Sequence, residues 1–312
     1  MTWLTVAVLI LAALLAAYPF VREARRKVMT DTARRAAPGR LARLSRGVTH
    51  YRWHGPARGP VAVCVHGLTT PSYVFDGLVE GLAALGYRVL TYDLYGRGWS
   101  DRPAGDQDAI FFLEQLEELL ADQRVGDDLT LVGYSMGGSI ATCFAAAHPD
   151  RLRQLVLLAP AGVGNTGDRL AGFVRKTPIL GDWLMHMTFP ARHRRGTEAE
   201  RALPSAVPDI VDRQQAELDW RGFVPAVLAS LRGILGRTLE SEHRRIHTAG
   251  VPVLAIWARK DDVIPVAHMG RLAEWSRAAR QEVIEEAGHG LTYTHAEEVT
   301  AILRARLREG LE

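Results

Sequence analysis

A serine stands between two glycines in Gly133-Tyr134-Ser135-Met136-Gly137, where the apolar run LTLVGYS gives way to the helix-like SMGGSIATCFAAA. A tight strand-to-helix turn of this kind lifts the hydroxyl off the backbone and sets it above the free N–H groups of a helix start. The plainer reading of Ser135 taken alone is a helix N-cap. A hydroxyl is a weak nucleophile at neutral pH, so it needs a general base, and the base needs a carboxylate to hold its tautomer. Both residue types follow later apolar runs: Asp261 in ARKDDVIP after VPVLAIWA, and His289 in Gly288-His289-Gly290 after RQEVIEEA. Each is bland by itself. Ser135, Asp261 and His289 together, each at the carboxyl end of a predicted strand where open α/β sheets place their sites, point to nucleophilic catalysis. Such chemistry also needs donors for a developing oxyanion. The backbone N–H groups of Leu68, after PVAVCVHG, and of Met136 suit that task, with the His66 ring supporting the loop.

The elements that must position these residues alternate along the chain. THYRWHG, PVAVCVHG, YRVLTYDL, LTLVGYS, LRQLVLLAPAG, VPVLAIWA and RQEVIEEAG read as strands. PSYVFDGLVEGLAALG, DAIFFLEQLEELLADQ, SMGGSIATCFAAAHP, a stretch around Ala267 to Ala279 and a closing stretch from His295 to Arg308 read as helices. Strands that are nearly continuous apolar runs fit a parallel sheet covered on both faces. The fold class is therefore α/β, a doubly wound and mostly parallel sheet. Between Gly162 and Gly250 the alternation fails. That stretch has no convincing strand and holds Phe173, Trp183, Met185, Met187, Phe189, Trp220 and Phe223, which predicts a helical cap inserted at about residues 163–248.

Composition excludes other classes. With 312 residues, 47% hydrophobic and 23% charged, the chain is a folded protein rather than a disordered or fibrous one. Residues 1–21 carry no charge, whereas residues 22–46 hold nine basic against two acidic residues, a net of +7. The remaining 29 basic and 33 acidic residues leave the body at −4, which offers no basic groove for nucleic acid. Thr2 to Val21 is long enough as a helix to span about 30 Å of hydrocarbon, with Trp3 and Tyr18 near the ends and Pro19 suited to a helix exit. A signal peptide carries its positive charge before the apolar run; here the charge follows, which favours an uncleaved anchor over an exported, cleaved leader. By the positive-inside rule the collar and the body face the cytoplasm. The expected organisation is an anchor over 1–21, a basic juxtamembrane linker over 22–46 and a catalytic domain over 47–312. Cys64 and Cys143 sit in apolar runs and read as reduced core residues. No metal-ligand spacing or dinucleotide-binding unit is present, so no cofactor is implied.

Residues 48 to 308 resemble the α/β-hydrolase fold family, in its lipase, esterase and aromatic C–C hydrolase branch. The resemblance rests on VHG, the turn DLYGRGWSD, GYSMGG, KDDVIP and AGHG, and on the order Ser, Asp, His. It implies a serine hydrolase of carboxylic esters, a carboxylesterase or monoacylglycerol-lipase-like enzyme acting on a small-molecule ester; the large apolar residues of the cap predict medium-chain esters, and the N-terminal helix makes the membrane a partner. Counting back from Pro265, the resemblance places the acid on Asp261 rather than Asp262, and it makes Asp93 and Ser100 structural. Alternatives are a C–C bond hydrolase of aromatic degradation and a weakly catalytic small-molecule receptor. A serine in the elbow disfavours dehalogenase and epoxide hydrolase chemistry, which in related enzymes uses an Asp nucleophile. Two departures stand out. Ala258 replaces a frequent glycine before the acid loop, and the single glycine after His66 lets Leu68 cover the site, so bulky alcohols are disfavoured.

Overall fold

Runs rich in Val, Leu, Ile and Ala suit strands with no solvent-facing side, and those runs make the middle of one sheet. The computed structural model, which describes residues 2–164 and 169–309, has strands β1 (Arg40–Leu44), β2 (Gly47–His54), β3 (Val61–Val65), β4 (Arg88–Tyr92), β5 (Leu129–Tyr134), β6 (Leu152–Leu158), β7 (Val253–Ala258) and β8 (Arg280–Ile284). Their order is β1-β2-β4-β3-β5-β6-β7-β8. The β1/β2 and β2/β4 pairs are antiparallel and all later pairs parallel.

Parallel neighbours require crossovers, and helices supply them. Ahead of the sheet lie α1 (Thr2–Ala24) and the short α2 (Asp31–Arg34). The crossovers α3 (Asp76–Ala84), α4 (Ala109–Asp122) and α5 (Met136–Ala147) precede an inserted set, α6 (Arg169–Lys176), α7 (Leu180–Ala199), α8 (Ile210–Ala216), α9 (Phe223–Arg232) and α10 (Glu240–Thr248). Then come α11 (His268–Trp275), α12 (Leu291–Thr294) and α13 (Ala296–Glu309). Local sequence explains several starts: Asp108 caps α4 by accepting from the Phe111 N–H at 3.0 Å. Alternate strand residues feed opposite faces, as β5 shows. Leu131 packs with Phe112, Phe144 and Leu155 under α4 and α5, whereas Val132 packs with Leu78, Val156 and Leu303 under α3 and α13.

Three expectations change here. The stretch 22–46, read as a linker, contains α2 and β1, so the sheet begins at Arg40 rather than after residue 46. In R-L-A-R-L only Ala42 is buried, while Arg40, Leu41 and Arg43 are exposed, so the strand shows no clean period-two pattern in its sequence. Arg34 is itself buried, donating to the Trp99 carbonyl at 2.9 Å and pairing with Asp31 and Asp101. Pro19, read as a helix exit, lies inside α1, which continues to Ala24.

The stretch between β6 and β7 is helical, with no strand among its described residues; residues 165–168 of the predicted cap lie outside them. Its large apolar residues divide among several jobs. Met185 and Phe223 join Val174, Leu218, Val224 and Val227 in a core of their own, with Phe189 packed against it. Trp183 faces α1, Trp220 lies 6.3 Å from Trp99 between ring centroids, and Phe173 is exposed.

Candidate active site

The turn between β5 and α5 holds Ser135 at φ 53°, ψ −119°, a conformation that side chains rarely adopt. It is over-determined by its surroundings. The Ser135 N–H donates to the Leu158 carbonyl at 2.9 Å, and its own carbonyl accepts from Gly138 and Ala161 at 2.9 and 3.0 Å. The flanking glycines are sterically required. A Cβ on Gly137 would stand 1.9 Å from the Val65 carbonyl oxygen, and one on Gly133 would stand 2.5 Å from that of Gly137. The Ser135 side chain makes no capping bond to α5, so the simple N-cap reading does not describe it.

Instead its Oγ lies 3.0 Å from His289 Nε2, and His289 Nδ1 lies 2.8 Å from Asp261 Oδ2. The other oxygen, Asp261 Oδ1, accepts from the Val263 and Ile264 N–H groups at 2.8 and 2.7 Å. A carboxylate pinned by two backbone donors cannot rotate away, so Nδ1–H donates to it and the Nε2 lone pair is left for the serine. Asp261 is buried after β7, while Asp262 is exposed. Ala258 ends β7 as ordinary strand. The His289 backbone is held as well, its carbonyl accepting from the Tyr134 hydroxyl at 2.9 Å.

Met136 opens α5, and an N–H in the first helical turn has no intrahelical acceptor. Leu68 follows β3 on the other side of Ser135. Its loop is held by His66, whose Nδ1–H donates to the Gly67 carbonyl at 2.8 Å and whose Nε2 accepts from the Leu94 N–H at 2.9 Å. That bonding requires a neutral ring, and burial lowers the His66 pKa to about 4.

Asp93 and Ser100 tie the neighbouring turn together. Asp93 is buried and accepts from the Ser72 and Trp99 N–H groups and from His50, while Ser100 Oγ donates to the Asp93 carbonyl at 2.6 Å. Burial works to raise the Asp93 pKa, but His50 and these donors bring it well below the usual carboxylate range. Sequence reasoning passed over Arg97 in the same turn. Its guanidinium is fully buried and donates to the Leu68 carbonyl at 2.9 Å, to Gln107 Oε1 at 2.6 Å and to Ser230 Oγ at 2.8 Å. It therefore joins the Leu68 loop to α9. Burial lowers its pKa to about 9 against the field of Glu217, so it stays charged at neutral pH.

A cavity of about 660 Å³ opens over Ser135 and His289. Leu68, Val174, Met185, Phe189, Val227 and Ile264 provide apolar lining. The polar lining is a bonded set: Tyr293 hydroxyl to Glu200 at 2.5 Å, Gln214 Nε2 to Thr70 Oγ1 at 3.0 Å, and His193 Nε2 beside the Gln214 carbonyl. These residues come from α7 and the residue that follows it, α8, α12 and the β3–α3 loop, so no local motif announced them.

Comparison with known proteins agrees with this architecture. The chain is 29% identical over 256 residues to the pimeloyl-[acyl-carrier protein] methyl ester esterase of Aeromonas hydrophila, covering 79% of this chain and 94% of that one. It is 29% identical over 240 residues to the 2-hydroxymuconate semialdehyde hydrolase of Pseudomonas sp. strain CF600, covering 71% and 77%. The solved structure of the Exiguobacterium antarcticum esterase superposes with a TM-score of 0.72 at 22% identity, over 86% of this chain and 98% of that one. Residues 60–296 match the family described as alpha/beta hydrolase fold. A nucleophile-elbow turn, an eight-stranded mostly parallel sheet and that match together place this chain in the α/β hydrolase fold family.

Proposed function

We propose that the chain is a serine hydrolase of carboxylic esters, a carboxylesterase or monoacylglycerol-lipase-like enzyme for medium-chain esters. The observation that carries this is the line Ser135 Oγ, His289 Nε2, His289 Nδ1, Asp261 Oδ2, with gaps of 3.0 and 2.8 Å. Ser135 attacks the ester carbonyl as its proton passes to His289 Nε2. The Leu68 and Met136 N–H groups receive the oxyanion, and Asp261 balances the imidazolium. Collapse of the tetrahedral adduct breaks the bond to the alcohol, which leaves with the proton from His289. Water then attacks the acyl-enzyme with His289 as base, and the acid departs, restoring Ser135. The relative named as an ester esterase supports this reading.

The relative named as a semialdehyde hydrolase, equally identical, keeps C–C bond hydrolysis as the second reading. Residues 1–21 serve as an uncleaved anchor, supported by the mean hydropathy of 2.5 within α1 and the basic collar after it, and the body faces the cytoplasm. Turnover of p-nitrophenyl esters by the full chain, set beside turnover of a vinylogous diketone, tests the assignment. Ester cleavage with Ser135 labelled by a fluorophosphonate is expected. Cleavage of the diketone alone would move the assignment to the C–C reading.

A further inference from the structure

The cap is joined to α1 at a point that should lie within the bilayer. Pro19 has no N–H, so the Leu15 carbonyl, four residues back in α1, loses its intrahelical donor. Trp183 of α7 supplies a replacement, its indole N–H donating to that carbonyl at 3.1 Å. In hydrocarbon such a carbonyl cannot turn to water, so this bond stabilises most where water is absent. Further along, the His186 ring meets Phe20 at 5.3 Å between centroids, and His186 Nδ1 lies 3.9 Å from Glu23. Later residues of α7 thus meet later residues of α1, and the two helices run parallel.

Depth follows from this alignment. Leu15 lies seven residues before Arg22, the first charge after the apolar run, which is about 10 Å along a helix axis. The start of α7 lies one turn deeper than Trp183. There Ile179 is 82% exposed and Leu180 54%, with Phe173 of α6 at 43%. Ile179 is also strained. It sits at φ 64°, ψ −66°, with the Leu180 N–H donating to the Pro178 carbonyl at 2.7 Å, a tight turn that a β-branched residue adopts at a cost. An apolar residue in a strained turn, largely exposed beside a membrane-length helix, fits a lipid contact better than a water contact.

We infer that the α6–α7 turn and the first turn of α7 are seated in the acyl-chain layer of a bilayer beside α1, so that amphiphilic substrates reach Ser135 from the lipid. This rests on the reading of α1 as an uncleaved anchor. The route is short, because Val174, Met185 and Phe189 of α6 and α7 line the cavity over Ser135 while the far side of α7 packs on α1.

The test places the full chain in nanodiscs of phosphatidylcholine, with and without bromine on the acyl chains, and reads tryptophan quenching. Trp3→Phe reports the anchor and Trp183→Phe reports the cap. Each substitution should remove one indole's share of the quenching. If the Trp3 share is present and the Trp183 share is missing, the anchor stands and this inference falls. If both are missing, the anchor reading falls and takes this one with it. A second variant, Ile179→Gly, relieves the strained turn and so should fold. It is expected to lower turnover of a p-nitrophenyl ester dissolved in the nanodisc several-fold while leaving water-soluble p-nitrophenyl acetate unchanged. Equal effects on both substrates, or none on either, would overturn entry from the lipid. The quenching readout needs no turnover, so it fails or succeeds separately from the esterase reading.

Discussion

At the scale of single residues, the two adjacent acids give a sharp contrast. Asp261 holds His289 and is itself held by two backbone N–H groups, whereas Asp262 is exposed. Asp261→Asn is expected to reduce kcat by roughly 10³ to 10⁴ through loss of the tautomer and of charge support, and Asp262→Asn only mildly, in ester assays of the two variants. Ser135→Ala should abolish fluorophosphonate labelling and nearly all turnover with the fold kept. His243 offers a separate residue-scale test, one of stability. It is fully buried and stacked on Trp275, and among the described residues neither ring nitrogen has a hydrogen-bond partner.

Burial lowers the pKa of both His243 and His66 to about 4. The unfolded chain binds protons at these histidines from about pH 6.5 downward while the folded chain does not, so stability falls as the pH drops from there toward 4. Each histidine steepens the loss by up to about 1.4 kcal/mol per pH unit. His50 opposes them: burial lowers its pKa, but Asp93 and the Pro38 carbonyl raise it on balance, so its contribution is present at low pH and fades as the pH rises. Urea midpoints between pH 7 and pH 4.5 should therefore fall. His243→Phe should raise the midpoint by removing two unpaired nitrogens and should flatten the slope. A slope unchanged by the substitution would remove His243 from this account.

At the scale of elements, the Leu68 loop and the cap are coupled through Arg97, which bonds to the Leu68 carbonyl and to the Ala226 carbonyl and Ser230 of α9. A lysine keeps the charge but not the fan of donors. Arg97→Lys should lower stability by about 1–3 kcal/mol for each buried acceptor left open, and should reduce kcat more than it changes KM, because it disturbs the loop of Leu68, the proposed oxyanion donor. A change in melting temperature with kcat untouched would make the coupling purely structural. The cavity over Ser135 is lined by Val174, Met185 and Phe189, which for the proposed ester substrate predicts a limit on acyl length. Each buried CH₂ contributes about 0.8 kcal/mol, roughly fourfold in kcat/KM, until the cavity is filled. A series of p-nitrophenyl esters should therefore rise from acetate to medium chains and then fall. A profile highest at acetate would mean that these residues do not line an acyl pocket.

At the scale of the whole molecule, an apolar helix, a basic collar and an acidic body form one continuous structure. The Lys27 backbone bonds to Asp219 and Arg221, the Gly222 N–H donates to Glu23 at 2.7 Å, and β1 joins the sheet. The collar is therefore a folded connection with no slack between α1 and the cap. The full chain is expected to sediment with membranes and to resist carbonate extraction. A mature amino terminus near Ala17 would show cleavage instead, and would leave the cap without Leu15 as the acceptor for Trp183.

Much of this was legible in the chain itself. The apolar runs act through nearest neighbours, so periodicity dictates the strands and crossovers, and the G-x-S-x-G pattern marks the elbow, although the Val65 carbonyl that makes Gly137 necessary lies on another strand. Asp261 and His289 were legible for a related reason: a doubly wound sheet brings the carboxyl ends of its central strands to one edge, and both residues follow such strands. Contacts between elements were not legible. β1 was masked by its arginines, because a five-residue strand carries too little pattern to outweigh its charge. The Arg97 bridge from Leu68 to α9, the bonds of Gln214 to Thr70 and of Tyr293 to Glu200, and the bond from Trp183 to Leu15 join residues 29 to 168 positions apart, and side-chain type records no partner at such range. Local sequence determined where each chemical group leaves its strand; only packing of the cap against the sheet and against α1 decided what surrounds those groups.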